Sequence, residues 1–246
     1  MAFQAAQYQA TVDKLTSGLG DLSAKLDSVP GKANDAADRW WVPDWLADKV
    51  IWFGKKICEI GAWILNKIKE CLEGAAAPVY MMVHGFQWET LRGLANGVTG
   101  QLQPQVLGST GEWKGPAADA YGKEIPRQAA AATSVGGICD KTSTSLEICA
   151  AAGLTFYLAL ALVLVKFIGA TIAAIASLGS VVFSWAGFLI ILEEAGVNTT
   201  VIVAAVSALM VLLGAQAKEM AALHGNAVDN SQFPGGHWPV SVKPAA

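Results

Sequence analysis

Between Ile148 and Leu192 the chain carries a single charge, Lys166, and a second apolar run, Val197 to Leu213, follows Glu193-Glu194. Such stretches cannot stay in water, because burial of apolar surface gains roughly 25 cal/mol per Å². Protein, another copy or lipid must cover them. The first half of the chain reads differently, as polar and amphipathic helical sequence. Charged residues are only 15% of the 246 positions, against about 25% in ordinary soluble domains. The net charge of −3 gives no reason to expect nucleic acid as a partner.

Tyr8, Val12, Leu15, Leu19, Leu22, Leu26 and Val29 step alternately by four and three. That is a heptad seam on one helix, which Pro30-Gly31 is expected to end. Packing within the chain is preferred over a coiled coil that only a partner completes. Asn34 to Pro43 reads as a linker containing Arg39-Trp40-Trp41, and Asp44 as the cap of a second helix reaching about Glu73. Its apolar stripe is Leu46, Val50, Phe53, Ile57, Ile60, Ile64, Ile68 and Leu72. Trp45, Trp52 and Trp63 lie on another row beside Lys49, Lys56 and Lys67. Tryptophans next to lysines suit a bilayer interface. They also suit packing under another helix, since lysine stems cover apolar surface, and packing is preferred.

A third helix is expected over about Val79–Leu107, burying Val79, Val83, Phe86, Leu91, Leu94, Val98 and Leu102. Gly108 to Gly115 is turn sequence, and Pro116 can open the next helix, where its missing N–H costs nothing. From there Tyr121, Ile125, Gln128, Ala132, Val135, Cys139, Thr142, Leu146 and Cys149 hold one phase, which continues through Phe156, Leu160, Val163 and Phe167. The helix therefore runs into the apolar region, with Pro126 expected to bend it. Beyond it, turns are expected at Ser177–Ser180 and at Glu193–Thr200, then a helix over Val201–Leu223 and a flexible tail. No segment reads as a strand, so the expected class is all-α, an antiparallel helical hairpin or bundle with a hydrophobic, membrane-associated region.

Catalytic patterns are missing. His84, His224 and His237 are scattered, and no GxSxG, HExxH or strand-linked GxGxxG occurs. Gly136-Gly137-Ile138-Cys139-Asp140-Lys141-Thr142 has Asp140 where a phosphate-binding loop needs glycine. No enzymatic activity and no cofactor are expected. Cys58, Cys71, Cys139 and Cys149 form no CxxC pair and stand near no histidine, which argues against zinc. Buried free thiols are preferred, with interhelical bridges as the alternative. The first residues show no basic segment before an apolar core, so no cleavable signal peptide is expected.

Three Trp-x-Gly triplets occur where composition alone delivers roughly one, so the triplet by itself means little. Trp52-Phe53-Gly54 and Trp185-Ala186-Gly187 fall in expected helices, whereas Trp113-Lys114-Gly115 falls in the turn between two helices. There glycine lets the backbone reverse tightly, and an indole can fill the open end of the pair. Glu112-Trp113-Lys114-Gly115-Pro116-Ala117-Ala118-Asp119-Ala120-Tyr121 resembles the turn and second-helix start of the WXG family of type VII (ESX) secretion substrates. With long apolar segments behind the hairpin, the chain is more similar to the larger Esp-type substrates and membrane-linked relatives of actinobacteria. The resemblance covers roughly residues 79 to 150. It implies Trp113, Gly115 and Tyr121 as the turn and recognition motif, and Trp45, Trp52, Trp63 and Lys166 remain candidate membrane-interface residues.

Two departures stand out. The family's Tyr-x-x-x-Asp/Glu export signal is missing, with Ile125 four residues beyond Tyr121 and Glu124 one early. Residues 40–78 have no counterpart in the minimal hairpin. The organisation expected is a heptad helix over 1–30, a Trp-rich linker and amphipathic helix over 31–77, the WXG-like hairpin over 78–150, a hydrophobic helical region over 151–223 and the tail over 224–246. The resemblance implies a non-enzymatic secretion substrate or secretion-associated protein, secreted or at the cell surface. Its partners are then a helical chain or a second copy, the type VII machinery and membrane lipid. The alternatives are a resident membrane protein with two or three spans and a pore-forming effector.

Overall fold

The computed structural model describes residues 4–40, 42–179 and 185–240, without the side chains of residues 109, 110, 177–179, 185–199 and 202. These residues form six α-helices: α1 (Ala5–Ala37), α2 (Asp44–Leu72), α3 (Ala77–Gln101), α4 (Ser109–Glu112), α5 (Pro116–Gly179) and α6 (Trp185–Val228). Two short 3-10 turns follow at Asn230–Gln232 and Pro234–Gly236. No strand occurs among the described residues, and the fold is all-α. It divides into two compact units, Met1–Pro78 with Ala151–Val211, and Val79–Ala150 with Leu212–Ala246.

The first unit is built on the heptad seam. Tyr8, Leu15, Leu19, Leu22, Leu26 and Val29 are all buried, against Val50, Phe53, Ile57, Ile64 and Ile68 of α2 and Leu154, Leu160, Leu164 and Phe167 of α5. Each such side chain contributes roughly 1.5–3 kcal/mol by leaving water. α1 and α2 run antiparallel, with Gly54 facing Ala33 and Gly61 facing Leu26. A Cβ on Gly54 would stand 2.8 Å from that of Ala33, so glycine is what lets these backbones approach. Two phenols close the far end of α2. The Tyr157 hydroxyl donates to the Cys71 carbonyl at 2.8 Å, the Tyr8 hydroxyl donates to the Ala75 carbonyl, and the two rings meet edge to face at 5.5 Å. These bonds serve carbonyls at a helix end, where intrahelical partners run out.

The second unit contains an antiparallel pair made by α3 and the first half of α5. Ser143 Oγ donates to the Gly85 carbonyl at 2.9 Å, Arg92 Nε lies 3.7 Å from Asp140 Oδ1, and the Thr99 and Thr133 hydroxyls are 3.4 Å apart. As residue numbers rise along α3 they fall along α5, which fixes the hairpin register.

Several expectations need correction. Pro30-Gly31 does not end the first helix, since α1 runs seven residues past Pro30 to Ala37. No turn forms at Glu193–Thr200, which lie inside α6. The turn expected at Ser177–Ser180 is helical to Gly179, and Ser180 with residues 181–184 lies outside the described residues. α3 stops at Gln101 rather than Leu107, and its expected inner face points outward. Val79, Val83, Phe86, Leu91, Leu94 and Val98 are exposed, while Gly85 is buried. Nor is the tail a free strand over its described length: α6 reaches Val228, Pro239 is buried, and Gln128 Nε2 donates to its carbonyl at 3.0 Å.

Candidate functional site

The reversal between α3 and α5 spans Leu102 to Gly115 and contains the single turn α4. Gly115 has φ +110°, a conformation open to glycine and strained for other residues. Pro116 then opens α5, and the Asp119 amide donates to the Gly115 carbonyl at 3.1 Å, the first bond of that helix. Trp113 is 45% exposed, and its ring lies 5.6 Å from that of Tyr121 at 54°. The indole thus leans on the second turn of α5, bringing the three motif residues together at one end of the hairpin. The other two Trp-x-Gly triplets lie within α2 and α6.

The position four residues past Tyr121 is occupied inwardly. Ile125 is buried, and neighbouring Glu124 pairs with Arg127 at 3.3 Å. No carboxylate therefore stands where the export signal would place one.

The tryptophan row of α2 is on the outside. Trp45, Trp52 and Trp63 are 62%, 46% and 41% exposed, and the Lys49 ammonium sits 5.1 Å from the centre of the Trp45 ring. The preferred expectation, that another helix covers them, is not met among the described residues. Lys56 and Lys67 pair with Glu59 and Glu70 on the same helix. Lys166 is exposed on α5, beside the exposed Leu162 and Val165.

α5 and α6 each contain a stretch long and apolar enough to cross a bilayer, with mean hydropathy 2.4 and 1.4. Of the α5 stretch 44% is buried within the protein, and of the α6 stretch none. Sequence reasoning expected these apolar stretches but broke α6 with a turn at Glu193–Thr200, and it missed the outward face of α3. The signal was available: Arg92 and Thr99 fall on the side of Gly85, away from Val83, Phe86 and Leu94, so the polar side is the one that faces α5.

All four cysteines are free thiols, and the described residues contain no group of three or more metal-ligating side chains. Burial pushes the Cys58 and Cys71 thiols up from their ordinary values. A cleft of about 440 Å³ opens beside Cys58, lined by Pro30, Ala33, Ile51 and Gly54. No protein-family model, curated protein or solved structure matches the chain.

Proposed function

We propose that the chain is a non-enzymatic type VII secretion substrate or secretion-associated protein, acting through helical pairing and membrane association. The observation that carries the reading is the α3–α5 hairpin, whose reversal holds Trp113, a positive-φ Gly115 and Tyr121 at one end. The outer face of α3 offers Val83, Phe86 and Leu94 to a helical partner or a second copy. α5 and α6 supply apolar length for a membrane. Because Ile125 stands in the place of the signal carboxylate, export depends on a partner that carries one.

The test is export from an actinobacterial host. Full-length protein is expected in the culture filtrate and at the cell surface, and is lost when the secretion ATPase is deleted. Trp113→Ala is expected to abolish export or pairing while leaving helix content intact. Unchanged export of that variant removes the motif from the argument.

A second reading, a resident integral membrane protein, is favoured by the fully uncovered apolar stretch of α6. Carbonate-resistant membrane retention with no exported pool would select it.

A further inference from the structure

We infer that the Trp45, Lys49, Trp52, Lys56, Trp63 and Lys67 row of α2 is a lipid-binding surface that lays this helix flat on an anionic bilayer. It rests on the membrane-association part of the reading above, but on a helix that neither α5 nor α6 contains.

The row is one face by geometry. Its members step by four, three, four, seven and four, which keeps them within a narrow arc of a 3.6-residue helix. The helix cannot turn to hide them, because Val50, Phe53, Ile57, Ile64 and Ile68 are locked into the first unit's core. Three indoles therefore stay outside, each with an apolar body and a polar N–H. That combination fits the boundary between headgroups and acyl chains.

Spacing sets the orientation. At about 1.5 Å per residue, Trp52 lies roughly 10 Å and Trp63 roughly 27 Å along the axis from Trp45. A helix crossing a bilayer gathers its tryptophans at its two ends. One that carries them at the start, the middle and the end of a face lies in the interface plane.

Charge selects the lipid. α2 holds five lysines against Asp44, Asp48, Glu59 and Glu70. It is the helix with a cation excess among the six, in a chain of net charge −3. Lysine is depleted in protein–protein interfaces, whereas lysines interleaved with tryptophan are usual at anionic membrane surfaces. Lipid is accordingly the occupant, rather than a second chain.

The experiment uses the full chain with vesicles of phosphatidylglycerol and phosphatidylcholine in equal parts, or phosphatidylcholine alone, each carrying a brominated-acyl lipid that quenches indoles. Quenching is expected on the anionic vesicles. Most of it disappears in the Trp45→Ala/Trp52→Ala/Trp63→Ala variant, and vesicle affinity falls by about tenfold. The Lys49→Gln/Lys56→Gln/Lys67→Gln variant, which leaves every indole in place, loses the preference for anionic vesicles. Unchanged quenching in the tryptophan variant, or equal quenching on neutral vesicles, overturns the inference. So does protection from iodide that grows with protein concentration without lipid and vanishes in the tryptophan variant, since that assigns the row to a second copy. Export is scored separately: a null vesicle result with intact export removes only this inference, and lost export with normal vesicle binding removes only the secretion reading.

Discussion

The Cys58 thiol lies 3.7 Å from the Leu26 carbonyl, the acceptor that Pro30, four residues further on, cannot serve because proline has no amide proton. α1 passes through Pro30 and keeps its seam buried on both sides of it. A thiol from the facing helix occupies the place of the missing N–H. The contact predicts a coupling. Cys58→Val, which stays apolar and removes the donor, is expected to destabilise the protein by about 1 kcal/mol. Pro30→Ala restores the amide and is expected to stabilise by roughly 1–3 kcal/mol. In that background Cys58→Val should cost clearly less. A double-mutant cycle by urea denaturation measures the difference, and equal costs in both backgrounds would separate the thiol from the proline.

Alkaline pH is expected to loosen the first unit. Burial holds the Cys58 thiol above its ordinary value near 9, with Asp27 adding to the effect, and burial followed by Glu70 does the same for Cys71. The Tyr8 phenol is raised as well, by burial first and then by Tyr157. A group raised in the folded state ionises first in the unfolded chain, so its full contribution holds below the unfolded value and drains away as pH rises toward the folded one. Urea midpoints should be level on the neutral side of pH 9 and fall above it. Cys58→Val with Cys71→Val should flatten the fall; an unaltered slope would mean the loss comes from other groups.

The α1–α2 contact makes a prediction about glycine that helix propensity alone gets backwards. Alanine is usually preferred to glycine inside a helix by about 1 kcal/mol. Gly20→Ala meets nothing within 4 Å and is expected to stabilise by about that amount. Gly54→Ala places its new methyl 2.8 Å from the Ala33 Cβ, which is fixed to backbone and cannot swing away. Overpacking of this kind costs roughly 1–3 kcal/mol, so the net change should be destabilising. Thermal denaturation of the two variants side by side should move in opposite directions.

How much of this could be read from the chain depended on whether a local rule met a tertiary exception. The seam from Tyr8 to Val29 and the α2 stripe were legible, since both repeat over several turns and most of their members are buried, with Val12, Leu46, Ile60 and Leu72 partly so. So was the continuity of α5, whose phase holds from Tyr121 to Phe167 through the join of the two units. The passage of α1 through Pro30 was not legible because the thiol that serves the Leu26 carbonyl lies 32 positions from Leu26 along the sequence. Glu193, Glu194 and Asn198 looked like turn residues, yet a long helix absorbs them. At the candidate site, Trp113, Gly115 and Tyr121 were found because turn chemistry is local. The outward placement of Trp45, Trp52 and Trp63 was not legible, because periodicity groups residues on a face without saying what covers it.

The inverted polarity of α3 carries the last prediction. Its inner side meets α5 through a glycine carbonyl, an arginine and a threonine, and its outer side carries Val83, Phe86 and Leu94. Stability should therefore sit on the polar side. Ser143→Ala removes a buried hydroxyl that donates to the Gly85 carbonyl and is expected to cost about 1 kcal/mol. Val83→Thr/Phe86→Gln/Leu94→Gln alters only exposed positions, so its urea midpoint should stay within about 0.5 kcal/mol of the parent's stability. Sizing of the same variant reads the other half of the argument. If these residues hold a second copy, the parent elutes as the larger particle and the variant as a monomer of unchanged helix content. A variant that unfolds instead would mean that α3's apolar side is already packed within the single chain, and that its exposure is not what draws a partner.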